Sequence, residues 1–343
     1  MNSENISVFD PDGVGVRNGN YFGMPFSADE AALVLVSVPW DVTSSYGGGA
    51  ADAPEAIIEE SSQLDFHDPW AAGEWRKGIA TLPVDGEVRE RSVRLRREAV
   101  KVIEALEAGG DAGAFTSEIN EINAASAELN RRVEAVCGEW LGRGKVVGLV
   151  GGDHSAPQGL IAAVARYHGS IGILHLDAHC DLREAYEGFE GSHASVMFNV
   201  LRDVAGVSRL VQVGVRDFSE SELRFAQQHH RVVQFTGAEL AEGRFGGESW
   251  DSQCGRIVAE LPERVYVSFD IDFLSPDLCP GTGTPVPGGA SFDEAAWLLR
   301  RVVDSGRRIV GFDLCEVAPS DGSSWDANVG ARMLFKLCGQ ALR

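Results

Sequence analysis

The pattern of hydrophobic and polar residues predicts a chain in which buried strands alternate with amphipathic helices. Short runs rich in Val, Ile and Leu predict strands that are covered on both faces, because such strands need no polar alternation. These runs lie at residues 32–39, 146–150, 171–177, 209–215, 264–272 and 308–314. Helical spacing of apolar residues predicts helices at residues 53–64, 157–167, 193–204, 219–229, 248–261 and 292–304.

The order of these elements predicts the fold class. A strand followed by a helix, repeated along the chain, is typical of an α/β protein with a mainly parallel central sheet covered by helices. Residues 1–30 contain many Gly, Asn and Pro residues, which predicts an irregular segment. Residues 85–143 are charged and helical in spacing, with a break at 109–111, and this predicts a helical insertion packed on the main domain. The length of 343 residues suits one large domain or two ordinary ones.

Composition excludes several classes of partner. The formal net charge of −21 argues against nucleic acid, since phosphate backbones are bound by clustered Lys and Arg, and it would attract a small cation. The six cysteines form no C-x-x-C pair, so neither a zinc ribbon nor a disulfide framework is indicated. No signal peptide is recognisable, and no apolar run approaches the roughly 20 residues that span a bilayer. We therefore expect a cytoplasmic protein without a membrane partner.

Acidic and imidazole side chains follow three of the predicted strands. The carboxyl ends of parallel strands share one edge of the sheet, where ligands bind in such folds. Alternate residues of a strand project to the same side, so residues spaced by two are expected to converge. The candidates are His154 after strand 146–150, Asp177, His179 and Asp181 at the end of strand 171–177, and Asp270 and Asp272 at the end of strand 264–272.

These residues predict a metal centre. Clustered carboxylates without a cation repel one another and lose solvation, which would force at least one pKa to rise steeply. Four carboxylates and two imidazoles exceed the needs of one ion with an open position, and they suit two ions that share bridging carboxylates. Oxygen and nitrogen ligands without thiolate favour Mn²⁺, with Ni²⁺ or Co²⁺ next. A single segment of this kind is more often a turn, so the prediction depends on their joint occurrence.

Five segments of the chain carry a family resemblance, namely Gly-Gly-Asp-His-Ser at 151–155, Asp-Ala-His-Cys-Asp at 177–181, Ser-Phe-Asp-Ile-Asp at 268–272, Pro-Gly-Thr-Gly-Thr-Pro at 280–285, and Gly-Phe-Asp-Leu-Cys-Glu-Val-Ala-Pro at 311–319. Together they resemble the ureohydrolase family of arginases, agmatinases and related guanidino hydrolases. The resemblance runs from about residue 34 to the C-terminus. It implies a three-layer αβα sandwich with a mainly parallel sheet, a single domain over residues 1–343, and a dinuclear manganese site with Ni²⁺ as the leading alternative.

The resemblance also implies a role for each matching residue. Glu316 matches the acidic residue that pairs with the guanidinium group, a planar fork well suited to a carboxylate. His193 matches the proton-shuttling histidine, and Asp181 would pass a proton to the departing amine. Thr284, Arg183 and Tyr186 are expected to line the substrate pocket. One ion is implied on His154, Asp177, Asp181 and Asp270, and the other on His179, Asp177, Asp270 and Asp272, with Asp177 and Asp270 bridging.

The substrate implied by the resemblance is a small cationic guanidino compound. The segment 181–195 resembles agmatinases more than arginases. The glycines at 47–49 and the segment 325–332 resemble an agmatinase-like branch that includes hydrolases of guanidine and of alkyl-biguanides such as metformin. Hydrolysis would release urea or a substituted urea plus an amine. If Arg183 points into the pocket it would repel a terminal ammonium, whereas in a structural ion pair it leaves agmatine as the leading candidate.

Two alternatives to this function remain open at the level of sequence. A zinc deacetylase on a related scaffold would need a mononuclear site with an open position. A non-catalytic or partner-dependent subunit of a hetero-oligomeric ureohydrolase would retain the fold while its partner performs the chemistry. The resemblance implies either a homo-oligomer, a trimer or hexamer, or a hetero-oligomer with a related subunit.

Overall fold

A computed structural model describes residues 9–320 and 322–343, and it confirms the predicted α/β class. Within these residues, eight strands form one sheet in the order β2-β1-β3-β8-β7-β4-β5-β6. Every pairing between neighbouring strands is parallel. The strands are β1 Leu33–Val38, β2 Ile79–Thr81, β3 Val146–Gly151, β4 Ile171–Leu176, β5 Val207–Val213, β6 Val232–Phe235, β7 Arg264–Asp270 and β8 Arg308–Cys315. Residues 1–8 of the segment predicted to be irregular lie outside the described residues.

Helices cover both faces of the sheet. Alternate residues of β4 contribute to two separate hydrophobic clusters, Leu174 to one and Ile173 to the other, so the clusters lie on opposite faces. Helices α1, α8, α9 and α10 contribute to the first cluster, and α2 to α5 contribute to the second, which confirms a three-layer αβα sandwich. The helices are α1 Ala53–Ser61, α2 Gly86–Glu107, α3 Thr116–Gly142, α4 Gln158–His168, α5 Val196–Asp203, α6 Glu220–Gln228, α7 Gly237–Phe245, α8 Trp250–Ala259, α9 Phe292–Asp304 and α10 Trp325–Leu342.

Several helices begin where local sequence dictates. Ser219 and Ser291 form capping boxes with Glu222 and Glu294, in which each side chain satisfies a backbone N–H of the first turn of α6 or α9. Asp85 caps α2 by accepting from two backbone N–H groups. In the described part of the chain, no helix is both long and apolar enough to cross a membrane.

The strand order determines where the candidate residues meet. β1, β3, β8, β7 and β4 are consecutive neighbours in the sheet, although they are far apart in the chain. Because all of them are parallel, their carboxyl ends open onto the same edge. The segments that follow β3, β4, β7 and β8 carry the predicted ligands and Glu316, so the fold brings them to one place.

Candidate active site

His154 lies at the centre of the first group of predicted metal ligands. It follows β3, and its ring is almost completely buried. Its backbone N–H donates to Glu316 Oε1 at 2.9 Å, which fixes the residue against the end of β8. Its Nδ1 atom faces three carboxylate oxygens, those of Asp177 at 2.9 Å, Asp181 at 3.1 Å and Asp270 at 3.3 Å.

His179 and Asp272 form a second group beside the first. His179 Nδ1 lies 2.9 Å from Asp272 Oδ2 and 3.4 Å from Asp177 Oδ1. The carboxylates are held by backbone donors, since Asp272 Oδ1 accepts from the N–H of Ala178 at 2.9 Å and Asp270 Oδ1 accepts from the N–H of Asp272 at 2.8 Å. All six predicted ligands therefore converge, and Asp177 belongs to both groups.

The reason predicted for this convergence is wrong in detail. β4 ends at Leu176 and β7 ends at Asp270, so the alternation of strand side chains does not extend through either motif. Asp181 instead adopts a left-handed backbone with φ of 53°, and Asp272 lies in a 3₁₀ turn, Ile271–Phe273. Tight turns after the strands aim these carboxylates back at the sheet edge.

The electrostatics of the two groups fit bound cations. Burial and the neighbouring charges of Asp272 and Asp177 raise the pKa of Asp270 well above its ordinary range. Asp272 Oδ2 is buried and makes no hydrogen bond, although His179 Nδ1 is nearby. Carboxylates that repel one another beside imidazole nitrogens, with one carboxylate oxygen left without a hydrogen bond, are an environment that divalent transition-metal ions satisfy.

Among the described residues, candidate ligand atoms within 4.8 Å of one another form three sets. Two of them share Asp177, namely His154, His175, Asp177 and Asp181, and Asp177, His179 and Asp272, and the third is His154, Asp313 and Cys315. His175 was not predicted. It is buried in β4, with Nδ1 2.9 Å from Gln212 Nε2 and Nε2 2.9 Å from Asp177 Oδ2. The sequence does hold one indication of His175, because it lies two residues before Asp177. That indication was overlooked because the residues around His175 form an apolar run.

Buried polar residues support the far side of the His154 ring. His154 Nε2 lies 2.9 Å from Ser268 Oγ, and Ser268 in turn donates to Asp313 Oδ2 at 2.9 Å. Asp313 also accepts a 2.7 Å hydrogen bond from the hydroxyl of Tyr266. A histidine held at one nitrogen presents the other in a fixed orientation, as is usual behind metal sites.

Glu316 and His193 lie side by side next to these groups. Glu316 Oε1 is 3.4 Å from His193 Nδ1, and Ser45 Oγ is 3.3 Å from His193 Nε2. Burial opposes protonation of His193, but the contact with Glu316 outweighs it and raises the pKa of His193 above its ordinary value. Glu316 has a left-handed backbone with φ of 62°, a conformation that is costly for a residue with a side chain and clusters at functional sites.

A cleft of about 160 Å³ connects the predicted pocket residues. Arg183, Tyr186 and Thr284 line it together with His193, Asp181 and Asp270, as the resemblance implies. Glu316 does not line the cleft; it is buried behind His193. The full lining is Ser45, His179, Asp181, Arg183, Tyr186, His193, Ala194, Asp217, Glu222, Asp270 and Thr284.

The charges at the mouth of the cleft are partly neutralised. Arg183 Nε lies 3.6 Å from Glu222 Oε2, and the Arg183 guanidinium stacks on Tyr186 at 4.6 Å from the ring centroid. Asp217 is exposed at the same mouth, and no side chain in the described ranges pairs with it. The sequence interpretation missed Asp217 and Glu222, although Asp217 follows the carboxyl end of β5 and that position is a usable signal.

Comparisons with known proteins agree with this architecture. A family model described as the arginase family matches residues 31–339. The agmatinase of Neisseria meningitidis serogroup A is 32% identical across 92% of this chain and 88% of its own length. The N(1)-aminopropylagmatine ureohydrolase of Thermus thermophilus is 33% identical across 85% of this chain and 84% of its own length.

A solved structure shows the same fold. The proclavaminate amidino hydrolase from Streptomyces clavuligerus superposes with a TM-score of 0.70 at 24% identity, covering 96% of this chain and 99% of its own. The predicted resemblance is thereby confirmed. The chain belongs to the arginase family and is, by that membership, an amidinohydrolase.

Proposed function

We propose that the chain is a dinuclear-metal hydrolase that cleaves a guanidino C–N bond of a small cationic substrate and releases urea or a substituted urea plus an amine. The observation that carries this proposal is the convergence of six N and O ligand residues at one edge of the sheet. His179, Asp181, Asp270 and His193 line a cleft there, and Glu316 lies directly behind His193. A chain that retained only the fold would have no need to keep these buried, mutually repelling groups together.

The metal would be held by the residues already described. His154, Asp177, Asp181 and Asp270 would bind one ion, and His179, Asp177, Asp270 and Asp272 the other. Mn²⁺ is the expected ion by family resemblance, with Ni²⁺ as the leading alternative. When bound, such a pair supplies a Lewis acid and lowers the pKa of water to about 7.

The protein's own residues would bind the substrate and move protons. The Glu316 carboxylate is held by the backbone N–H of His154, so it is fixed before the planar guanidinium arrives. Asp181 lines the cleft and would donate a proton to the departing amine. His193, between Glu316 and Ser45, would carry protons between the cleft and solvent.

The mouth of the cleft favours a substrate with a second positive charge. Arg183 is paired with Glu222 and stacked on Tyr186, so its charge is compensated. Asp217 then leaves a negative charge at the mouth that would attract a distal ammonium. The cleft volume of about 160 Å³ lies below the roughly 300–1,000 Å³ of sites for drug-sized ligands, which favours a small substrate. Agmatine therefore leads within the proposed class, ahead of guanidine and dimethylbiguanide.

A substrate panel tests this proposal. The full chain, loaded separately with Mn²⁺, Ni²⁺ or Co²⁺, is incubated with agmatine, guanidine, dimethylbiguanide and arginine, and urea or substituted urea is measured. We expect the highest kcat/KM for agmatine. An acetylated amine serves as a control for the deacetylase alternative, and no acetate should be released from it. Activity that appears only after a related subunit is added would identify a partner-dependent subunit. No release from any guanidino compound, with or without that subunit, would overturn the proposal.

A further inference from the structure

The segment between β1 and α1, residues 40–52, carries two hydroxyl side chains that contact His193 and is called here the 40–52 loop. Thr43 Oγ1 accepts from the backbone N–H of His193 at 3.2 Å and donates to Asp153 Oδ2 at 3.2 Å. Ser45 Oγ is 3.3 Å from His193 Nε2. The course of this loop therefore determines which groups surround the His193 ring.

The tip of the 40–52 loop, residues 45–49, has little rigidity of its own, whereas residues 40–44 are buried. The tip contains three consecutive glycines, and Tyr46 within it is 84% exposed. Only a short 3₁₀ turn, Ala50–Asp52, gives the loop regular structure. Its backbone is tied by the Gly47 N–H, which donates to the carbonyl of Gly283 at 3.1 Å, and by the Gly49 N–H, which donates to Asp41 Oδ2 at 2.9 Å.

Helix α2 supplies further support through one polar face, in addition to Asp153, whose N–H donates to the carbonyl of Trp40 at 2.8 Å. Arg89, Ser92 and Arg96 are spaced by three and four residues, so they share a side of the helix. Arg89 pairs with Asp52 at the end of the loop. Ser92 Oγ accepts from the N–H of Asp41 at 3.2 Å and donates to Asp41 Oδ1 at 3.3 Å at its start.

Arg96 bonds the part of the loop that reaches His193. Its Nη1 atom donates to the carbonyl of Val42 at 3.2 Å and also to the carbonyl of Ser44. These two carbonyls flank Thr43 in the chain, so a single guanidinium constrains the backbone on both sides of that residue. A donor that carries a full charge binds carbonyl oxygen more strongly than a neutral donor does.

We propose that the polar face of α2 positions the 40–52 loop, and that Arg96 thereby holds Thr43 and Ser45 against His193. Arg96 bonds the backbone of the loop and not His193 itself, so it is a positioning residue. The kinetic consequence depends on the proposed function, because His193 must take part in turnover for its surroundings to affect the rate. The structural consequence does not depend on it.

Hydrogen exchange tests the structural consequence directly. In Arg96→Met, amides of the 42–50 peptide, including Gly47 and Gly49, should exchange at least about tenfold faster, the equilibrium factor for losing one charged hydrogen bond. The exchange rates of peptides from β1 and α2 should be unchanged. The matched control is Arg94→Met on the same helix, because Arg94 pairs with exposed Glu121 and bonds no residue of the loop within the described part of the chain. Unchanged exchange in Arg96→Met, or an equal increase in Arg94→Met, would overturn the proposal.

Kinetics of the metal-loaded chain provide the second readout. Arg96→Met should lower kcat more than it raises KM and should move the pH limb due to His193, whereas a purely structural role would change neither. Arg96→Lys keeps a charged donor, so its kcat and exchange should lie between those of wild type and Arg96→Met. If Arg96→Met does not fold, Arg96→Lys alone decides, because wild-type exchange in that variant contradicts the proposal. An inactive wild type would refute the proposed function and leave the exchange result to judge the loop.

Discussion

The floor of the cleft and its mouth are held in place in different ways. The floor consists of buried residues such as His154, Asp177 and Asp270 at the carboxyl ends of β3, β4 and β7, and hydrogen bonds from backbone N–H groups fix this region. The mouth consists of the 40–52 loop and the Arg183–Tyr186 region, which depend on side chains of other elements, Arg96 and Glu222. The end of a strand is rigid because the whole sheet supports it. The rigidity of a loop depends instead on the few contacts that it makes with other elements.

We therefore expect the floor to determine the class of reaction and the mouth to determine the choice of substrate. A change in the floor alters metal binding and therefore every substrate alike. A change at the mouth alters how one substrate is placed relative to another, while the metal ligands remain intact. Variants from floor to mouth should accordingly have progressively smaller and more substrate-dependent effects.

The largest effect is expected for Asp270→Asn in the floor. The amide keeps the volume of the side chain but removes the charge of a residue proposed to bind both ions, so bound metal should be lost and turnover abolished for every substrate. Elemental analysis and urea release measure both consequences, and circular dichroism should show that the fold survives. Retention of two ions with wild-type activity would contradict the dinuclear site.

The second largest effect is expected for His193→Asn, because His193 lies between the floor and the mouth. Because His193 contacts Glu316 and Ser45 and is not a predicted metal ligand, both ions should remain bound. Loss of a proton carrier should lower kcat by roughly 10²–10⁴-fold. Steady-state kinetics and elemental analysis on the same preparation check this, and loss of metal would instead identify His193 as a ligand.

Glu316→Gln should have a smaller effect that falls on substrate binding. The amide oxygen can still accept from the N–H of His154, so the metals should stay bound, while the negative charge behind His193 that is proposed to attract the guanidinium is lost. A hydrogen bond to a charged group contributes about 1.5–3 kcal/mol, which corresponds to a fall of roughly 10–100-fold in kcat/KM. An unchanged kcat/KM would remove Glu316 from guanidinium recognition.

Asp217→Asn should have the smallest effect and the sharpest dependence on substrate. An exposed charge contributes up to about 1 kcal/mol, so kcat/KM for agmatine should fall by at most about fivefold. Guanidine has no distal ammonium and should be unaffected. Asp277→Asn is a suitable control, because Asp277 is an acidic residue away from the cleft lining. Equal losses for both substrates would show that Asp217 does not recognise the distal charge.

The same contrast explains what the sequence could predict. The floor was accessible because its ligands directly follow apolar runs, and parallel strands bring their carboxyl ends together whatever their separation in the chain. The short β2 and half-buried β6 were missed, since three or four residues carry little periodic signal. Helix α10 was missed because it is buried on most sides and carries only a narrow polar stripe of Asn328, Arg332 and Lys336.

The mouth was less accessible from sequence for a physical reason. Arg96 bonds Val42 across 54 positions of the chain, and nothing in the residues around either one records that contact. Arg183 was expected to line the pocket, but the sequence did not show whether its charge is available to a substrate. That depends on the ion pair with Glu222, which forms only in the folded chain. Contacts of this kind follow from tertiary packing and leave no local pattern.

The most direct test of the dinuclear hydrolase is a metal titration of activity. Metal-free chain is titrated with Mn²⁺, and separately with Ni²⁺, while urea release from agmatine is followed and bound metal is measured at each point. We predict no release without metal and a rise that reaches its plateau at two ions per chain. Full activity at one ion per chain, or in the presence of excess chelator, would contradict the dinuclear mechanism.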